Sequence, residues 1–174
     1  MQSLTLAGLN ALDLAEFVAA VGSVFEHSPW VAEYAHAKRP FRSVDDLHQA
    51  MMEIVRGASR EAQIAFMRAH PDLAGREALS GTMTIDSSGE QGRLGFTALP
   101  RSELERITRL NEAYRQKFGF PCIIALRLHN ARASVLAEHE RRLGNDIETE
   151  IANCLAQVAF ITRGRIEKLV GATR

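Results

Sequence analysis

Apolar residues recur along this chain at intervals of three and four, and turn-forming residues close each run, which predicts helices almost throughout. Asp13 with Glu16 fits a capping box and Leu12 with Phe17 the matching hydrophobic staple, ahead of a face made by Phe17, Val21, Val24 and Phe25. Ser28 before Pro29 predicts a second start, with proline in the first turn where a missing N–H costs nothing, and Pro40 ends that helix. Ser43 with Asp46 opens a third, carrying Leu47, Met51, Ile54 and Val55 up to Gly57. Ser59 opens a fourth, in which Ile64, Phe66 and Met67 lead to His70 and a stop at Pro71.

Residues 72–98 break the pattern: five glycines and the run Ser80-Gly81-Thr82-Met83-Thr84 predict a long loop or short broken helices. Periodicity returns over Pro100–Lys117, with Leu104, Ile107, Leu110 and Tyr114 on one face and Gly119 as C-cap. Pro121 is expected to start a short apolar helix through Leu128, and Ser134–Leu143 to form another. Asn145 with Glu148 then caps a long final helix whose inward positions are Ile151, Leu155, Val158, Ile161 and Leu169. No segment alternates as a half-buried strand does, and no linker or repeat divides the chain. The expectation is an all-α, single-domain compact bundle of about eight to ten helices over residues 1–174.

Composition narrows the function classes. Lys+Arg and Asp+Glu are both 21, so the formal net charge is zero, and the basic excess that nucleic acid demands is missing. No apolar run is long enough to span a membrane. Met1–Asn10 has no basic residue or signal-peptide pattern, and Gly171-Ala172-Thr173-Arg174 carries no lipidation or peroxisomal signal. Cys122 and Cys154, both among aliphatic residues, read as buried thiols. A cytoplasmic protein is expected.

Candidate chemistry gathers in two places. His70-Pro71-Asp72-Leu73-Ala74-Gly75 sets a histidine, the side chain that titrates near neutrality, where proline blocks further helix. Ser87-Ser88-Gly89-Glu90-Gln91 offers two hydroxyls, a carboxylate and an amide, enough to orient a small polar substrate. Plainer readings stand beside these. His70 is equally a helix C-terminal residue favoured by the dipole, and Ser87 with Glu90 is a capping-box pattern. Glu33-x-x-His36 is half of a di-iron carboxylate motif with the other half missing, and His70-x-Asp72 is too short for a metal pair, so no metal is expected. A helical interaction module and a cofactor-free hydrolase or lyase for some other ureide remain as alternatives.

Four motifs occur in order: Phe25-Glu26-His27-Ser28-Pro29-Trp30-Val31-Ala32-Glu33, His70 through Gly75, Ser87 through Gln91, and Asn111-Glu112-Ala113-Tyr114-Arg115-Gln116-Lys117-Phe118-Gly119-Phe120-Pro121. In these the chain resembles the 2-oxo-4-hydroxy-4-carboxy-5-ureidoimidazoline (OHCU) decarboxylases of urate breakdown, from about Leu12 to Val170. The resemblance implies a helical fold, a homodimer, no cofactor, a small-molecule substrate, and production of (S)-allantoin and CO2. It places the catalytic histidine on His70; Glu90, able to hold the imidazole in its working tautomer, is expected as the acidic partner. Substrate contacts fall on Pro71, on Ser87, Ser88, Gly89, Glu90 and Gln91, and on the backbone of Cys122, Ile123, Ile124, Ala125 and Leu126. The family's C-terminal arginine falls on Arg165 in Thr162-Arg163-Gly164-Arg165-Ile166. Gly164 replaces a leucine there, which leaves Arg163 open, and Cys122 stands where the family often has phenylalanine. If Pro121 starts a helix, the N–H groups after it would face a ligand. Arg165 could also simply pair with Glu167 or Glu148.

Overall fold

A computed structural model describes residues 4–171. Residues 1–3 and 172–174 lie outside the described residues, and with them the ends of the expected 1–174 domain and most of the C-terminal tetrapeptide. Among the described residues there are ten α-helices and no strand: α1 Leu6–Ala11, α2 Leu14–Val21, α3 Trp30–His36, α4 Val44–Arg56, α5 Arg60–Arg68, α6 Arg76–Ser80, α7 Ile85–Arg93, α8 Arg101–Phe118, α9 Arg132–Arg142 and α10 Ile147–Val170. The all-α class follows as the periodicity requires. No described helix is long and apolar enough to cross a membrane.

The helices group into two compact units, one built up to Gln63 and again from Thr162, the other from Ile64 to Ile161. In the first, Asp13 and Glu16 form the reciprocal capping box, and Ser43 Oγ accepts from Asp46 N at 3.0 Å. Phe17, Val21, Leu47, Met51 and Val55 are fully buried in its core. Helix α1 escapes the periodicity argument because it is only six residues long; Thr5 caps it and Asn10 bonds both N and O of Phe41. Ser28 does not cap α3. Its buried hydroxyl turns back to donate to the Glu26 carbonyl at 2.9 Å, and the helix starts behind Pro29.

In the second unit, the irregular stretch resolves into the short helices α6 and α7. Thr84 is the cap of α7, accepting from Ser87 N at 3.3 Å, so Ser87–Gln91 lies inside a helix rather than opening one. Helix α8 ends at Gly119, whose φ of 80° is the left-handed conformation expected of a C-cap glycine. The final helix is capped one residue later than expected: Asp146 Oδ1 accepts from Thr149 N at 2.8 Å, and Asn145 instead donates to Glu150 at 2.7 Å.

The largest departure follows Pro121. Residues 121–125 form neither helix nor strand, with Ala125 in an extended conformation, and only Leu126–Leu128 make a 3-10 turn. This buried strap is held by side chains. Arg142 donates to Ile123 O at 2.6 Å, Gln157 accepts from Ala125 N at 2.8 Å, and Arg93 donates to Leu126 O. Arg142 is itself fully buried against Glu150 at 2.8 Å, with Tyr114, Asn145 and Asn153 completing the carboxylate's bonds. Burial pushes Glu150 up, but those partners outweigh it and hold the carboxyl below its usual range.

Candidate functional site

Helix α5 delivers His70. Backbone bonds from Ala69 to Phe66 and from His70 to Met67 wind the chain tightly past its end, and Pro71 then forbids another turn. The imidazole is buried, 6% exposed, in a T-shaped contact with the Phe66 ring, the ring centroids 5.2 Å apart. Its Nδ1 lies 3.2 Å from the Phe66 carbonyl. A carbonyl oxygen only accepts, so Nδ1 carries the proton in this contact, which fixes the tautomer and orientation of the ring. The plain reading of His70 as a residue at a helix C-terminus therefore holds for its Nδ1.

The turn that follows is gripped from several sides. Gln91 Oε1 accepts from Ala74 N at 2.8 Å while its Nε2 donates to Asp72 O at 3.1 Å. Asn111 donates to Leu73 O at 2.9 Å, and Arg115 donates to Asp72 Oδ2 at 2.8 Å. Ala74 sits at φ 48°, an unfavourable conformation for a residue with a Cβ. Gly75 is required by close approach: a Cβ there would lie 2.6 Å from Asp72 Cβ. Burial raises the Asp72 carboxyl against the lowering effect of Arg115, and its Oδ1 is buried with no hydrogen-bond partner among the described residues. A cleft of about 810 Å³, lined in part by Asp72, Gly75, Asn111 and Arg115, runs beside this turn.

Gln91 thus joins the two motifs singled out in the sequence. Ser87 is buried one turn before it on α7, with Ser88, Gly89 and half-buried Glu90 between. Arg93, at the end of α7, donates to Leu126 O and to His129 O, tying in the strap that carries Cys122, Ile123, Ile124, Ala125 and Leu126. Because the strap is not helical, its amides are not a helix N-terminus, and the anion site expected of one is not formed. Burial pushes the Cys122 thiol far up, so it is neutral at physiological pH. Arg165 belongs to the other unit, 3% exposed, donating to Glu26 at 2.8 Å and to Val24 O at 3.3 Å. Its observed carboxylate partner is thus Glu26; Glu167 pairs with Arg163 at 2.8 Å, and Arg163 also meets Asp45 near the surface.

The residues that sequence reasoning passed over are Asn111, Arg115 and His139. The first two stand in the Asn111–Pro121 motif four residues apart, a spacing that puts both on one face of α8. His139, fully buried, lies with Nε2 3.1 Å from Asn111 Oδ1; since Asn111 Nδ2 is spent on Leu73, His139 donates, and its buried Nδ1 has no partner among the described residues. Burial lowers its pKa, which keeps it neutral. Among the described residues no three His, Cys, Asp or Glu side chains meet in a group able to hold a metal ion.

With this geometry in place, the chain was compared with known proteins. The family model described as OHCU decarboxylase matches residues 10–167. A 2-oxo-4-hydroxy-4-carboxy-5-ureidoimidazoline decarboxylase of Haloferax volcanii is 45% identical over 95% of this chain and 96% of its own length. One from Mus musculus is 37% identical over 94% and 92%. Among solved structures, an (S)-allantoin synthase superposes with a TM-score of 0.71 at 30% identity, covering 94% of this chain and 53% of that one. An OHCU decarboxylase crystallised with (S)-allantoin gives 0.67 at 19% identity, a likeness of fold. On the extent of the family match and of these relatives, the chain belongs to the OHCU decarboxylase family.

Proposed function

We propose that this chain is a carboxy-lyase converting OHCU to (S)-allantoin and CO2 in urate breakdown, with His70 transferring the proton. The supporting observation is the placing of His70: a buried imidazole just past the end of α5, oriented by the bond from its Nδ1–H to Phe66 O. The substrate carries a carboxylate and a hydroxyl on one ring carbon, beside a C=N bond. Loss of CO2 leaves an electron pair that spreads on to that C=N, so the substrate is its own electron sink. A proton must then arrive on one face to give a single enantiomer, and the hydroxyl proton must leave. A positioned histidine serves either transfer, at about a hundred- to ten-thousand-fold in rate.

Glu90 is its acidic partner in this reading, accepting from ring or ureido N–H groups or steadying the imidazole. Pro71, Ser87, Ser88, Gly89, Gln91 and the backbone of Cys122, Ile123, Ile124, Ala125 and Leu126 bind substrate. Gln91 still has one amide N–H and one lone pair beyond those that hold the turn. Arg165 is kept as the arginine for a carboxylate or ring carbonyl on the motif alone. A single domain over 1–174, a cytoplasmic location and a homodimer belong to the same reading, and the family match from 10 to 167 supports the first by running through both units.

The test is chiral. OHCU is generated in place from urate with urate oxidase and hydroxyisourate hydrolase, this protein is added, and circular dichroism follows optically active allantoin. Rapid growth of one enantiomer, lost in a folded His70→Ala variant, is the expected result. A trace no faster than the uncatalysed racemic decay overturns the substrate assignment.

A further inference from the structure

The motif Asn111–Pro121 has no role in the chemistry above, yet two of its side chains hold the turn behind His70. We propose that Asn111 and Arg115 are positioning residues that act through His70, fixing where its Nε2 is presented. The inference rests on the decarboxylase reading.

Pro71 couples the imidazole to the turn, since the residue before a proline has little backbone freedom of its own. Beyond it, Arg115 takes the Asp72 carboxylate and Asn111 the Leu73 carbonyl, both from one face of α8. His139 sets the Asn111 amide: its Nε2–H occupies Oδ1, so Nδ2 can only point at Leu73. These contacts make poor sense as stabilisers. Asp72 keeps one buried oxygen with no partner among the described residues, and Ala74 is held at positive φ. A carboxylate with one buried, unsatisfied oxygen and a strained backbone persist only where surrounding contacts over-determine them, which is common beside reacting groups. The same grip would serve His70, because a displacement of the order of 1 Å at a reacting group can cost about a hundred-fold in rate.

The experiment uses Asn111→Ala, Arg115→Gln and Arg115→Lys in the full chain. Arg115 is the safer position, its side chain being 39% exposed. With the chiral assay, and rates taken per folded molecule, Asn111→Ala and Arg115→Gln should lower kcat about ten-fold or more with KM within about two-fold, and Arg115→Lys should restore most of it. Placed on His70→Ala, neither substitution should lower the residual rate further. An equal loss in that background, an unchanged kcat, or a change confined to KM overturns the proposal. A ring-nitrogen NMR measurement separates it from the substrate reading. The wild type should give a sharp Nδ1–H signal for His70, broadened in Asn111→Ala and Arg115→Gln whether or not OHCU is turned over. An identical signal in all three overturns the positioning role, whereas an inactive wild type overturns only the substrate.

Discussion

Arg142 and Glu150 show how much one residue can carry. Neither side chain has meaningful contact with solvent, and each completes the other's charge while Arg142 also holds the strap carbonyl of Ile123. Removing one partner strands the other, so Arg142→Met should cost about 3–5 kcal/mol in urea denaturation, with the double variant carrying Glu150→Gln costing less than the sum. His139 adds a pH dependence. The fold favours its neutral form, so its contribution is complete above the ordinary value of 6.5 and is lost as pH falls from there through the lowered folded value. Glu150, held low, contributes above 4.5 and loses that contribution below it. The urea midpoint should therefore fall on acidification from 6.5, and His139→Gln should flatten that first decline; a flat wild-type midpoint between pH 7.5 and 5 would contradict it. At this scale the sequence displayed the reactive types, His70, Glu90 and Gln91, but not their bonds. The partners of the turn lie 17 to 43 residues away, a distance no local pattern encodes.

At the scale of elements, most starts and stops were legible because they are written in local chemistry: the Asp13 box, the Ser43 cap, the Gly57 and Gly119 ends. Gly119→Ala puts a Cβ at φ 80°, 3.3 Å from Arg68 Nη2, and should cost about 1–2 kcal/mol by thermal or urea unfolding. Thr84→Ala should cost about 1 kcal/mol by uncapping α7, and should slow turnover if that helix aligns Glu90. The strap was misread for a physical reason. Every residue from Pro121 to Leu126 is buried, so no polar side marks a period, and a short apolar run reads alike as helix or extended chain. β-branched Ile123 and Ile124 tilt the balance, and side chains from α7, α9 and α10 supply the bonds a helix would have made internally.

For the whole molecule, the segments that would meet substrate through His70, α7 and the strap all lie between Ile64 and Ile161, and Arg165 does not. Single substitutions should separate the two arginines. Arg165→Ala strands the buried carboxylate of Glu26 and should lower the urea midpoint clearly, whereas Arg163→Ala, which loses part-exposed pairs to Asp45 and Glu167, should leave it nearly unchanged. Sedimentation velocity reads the expected homodimer directly. With a formal net charge of zero, the protein should be least soluble near neutral pH and recover on either side, which a precipitation series would display.

The strap has one more consequence, for the order in which the molecule assembles. A non-helical segment bonded by Arg93, Arg142 and Gln157 has no local nucleus, since its partners stand 33, 19 and 32 residues from the atoms they hold. Helix α8 closes its own bonds, whereas the strap can be seated only after chain on both sides has found its place. Its contacts should thus be absent from the folding transition state. Gln157→Ala should accelerate unfolding while leaving the folding rate nearly unchanged, giving a φ-value near zero in a chevron analysis. Activity would then be among the last properties a folding chain acquires and among the first it loses.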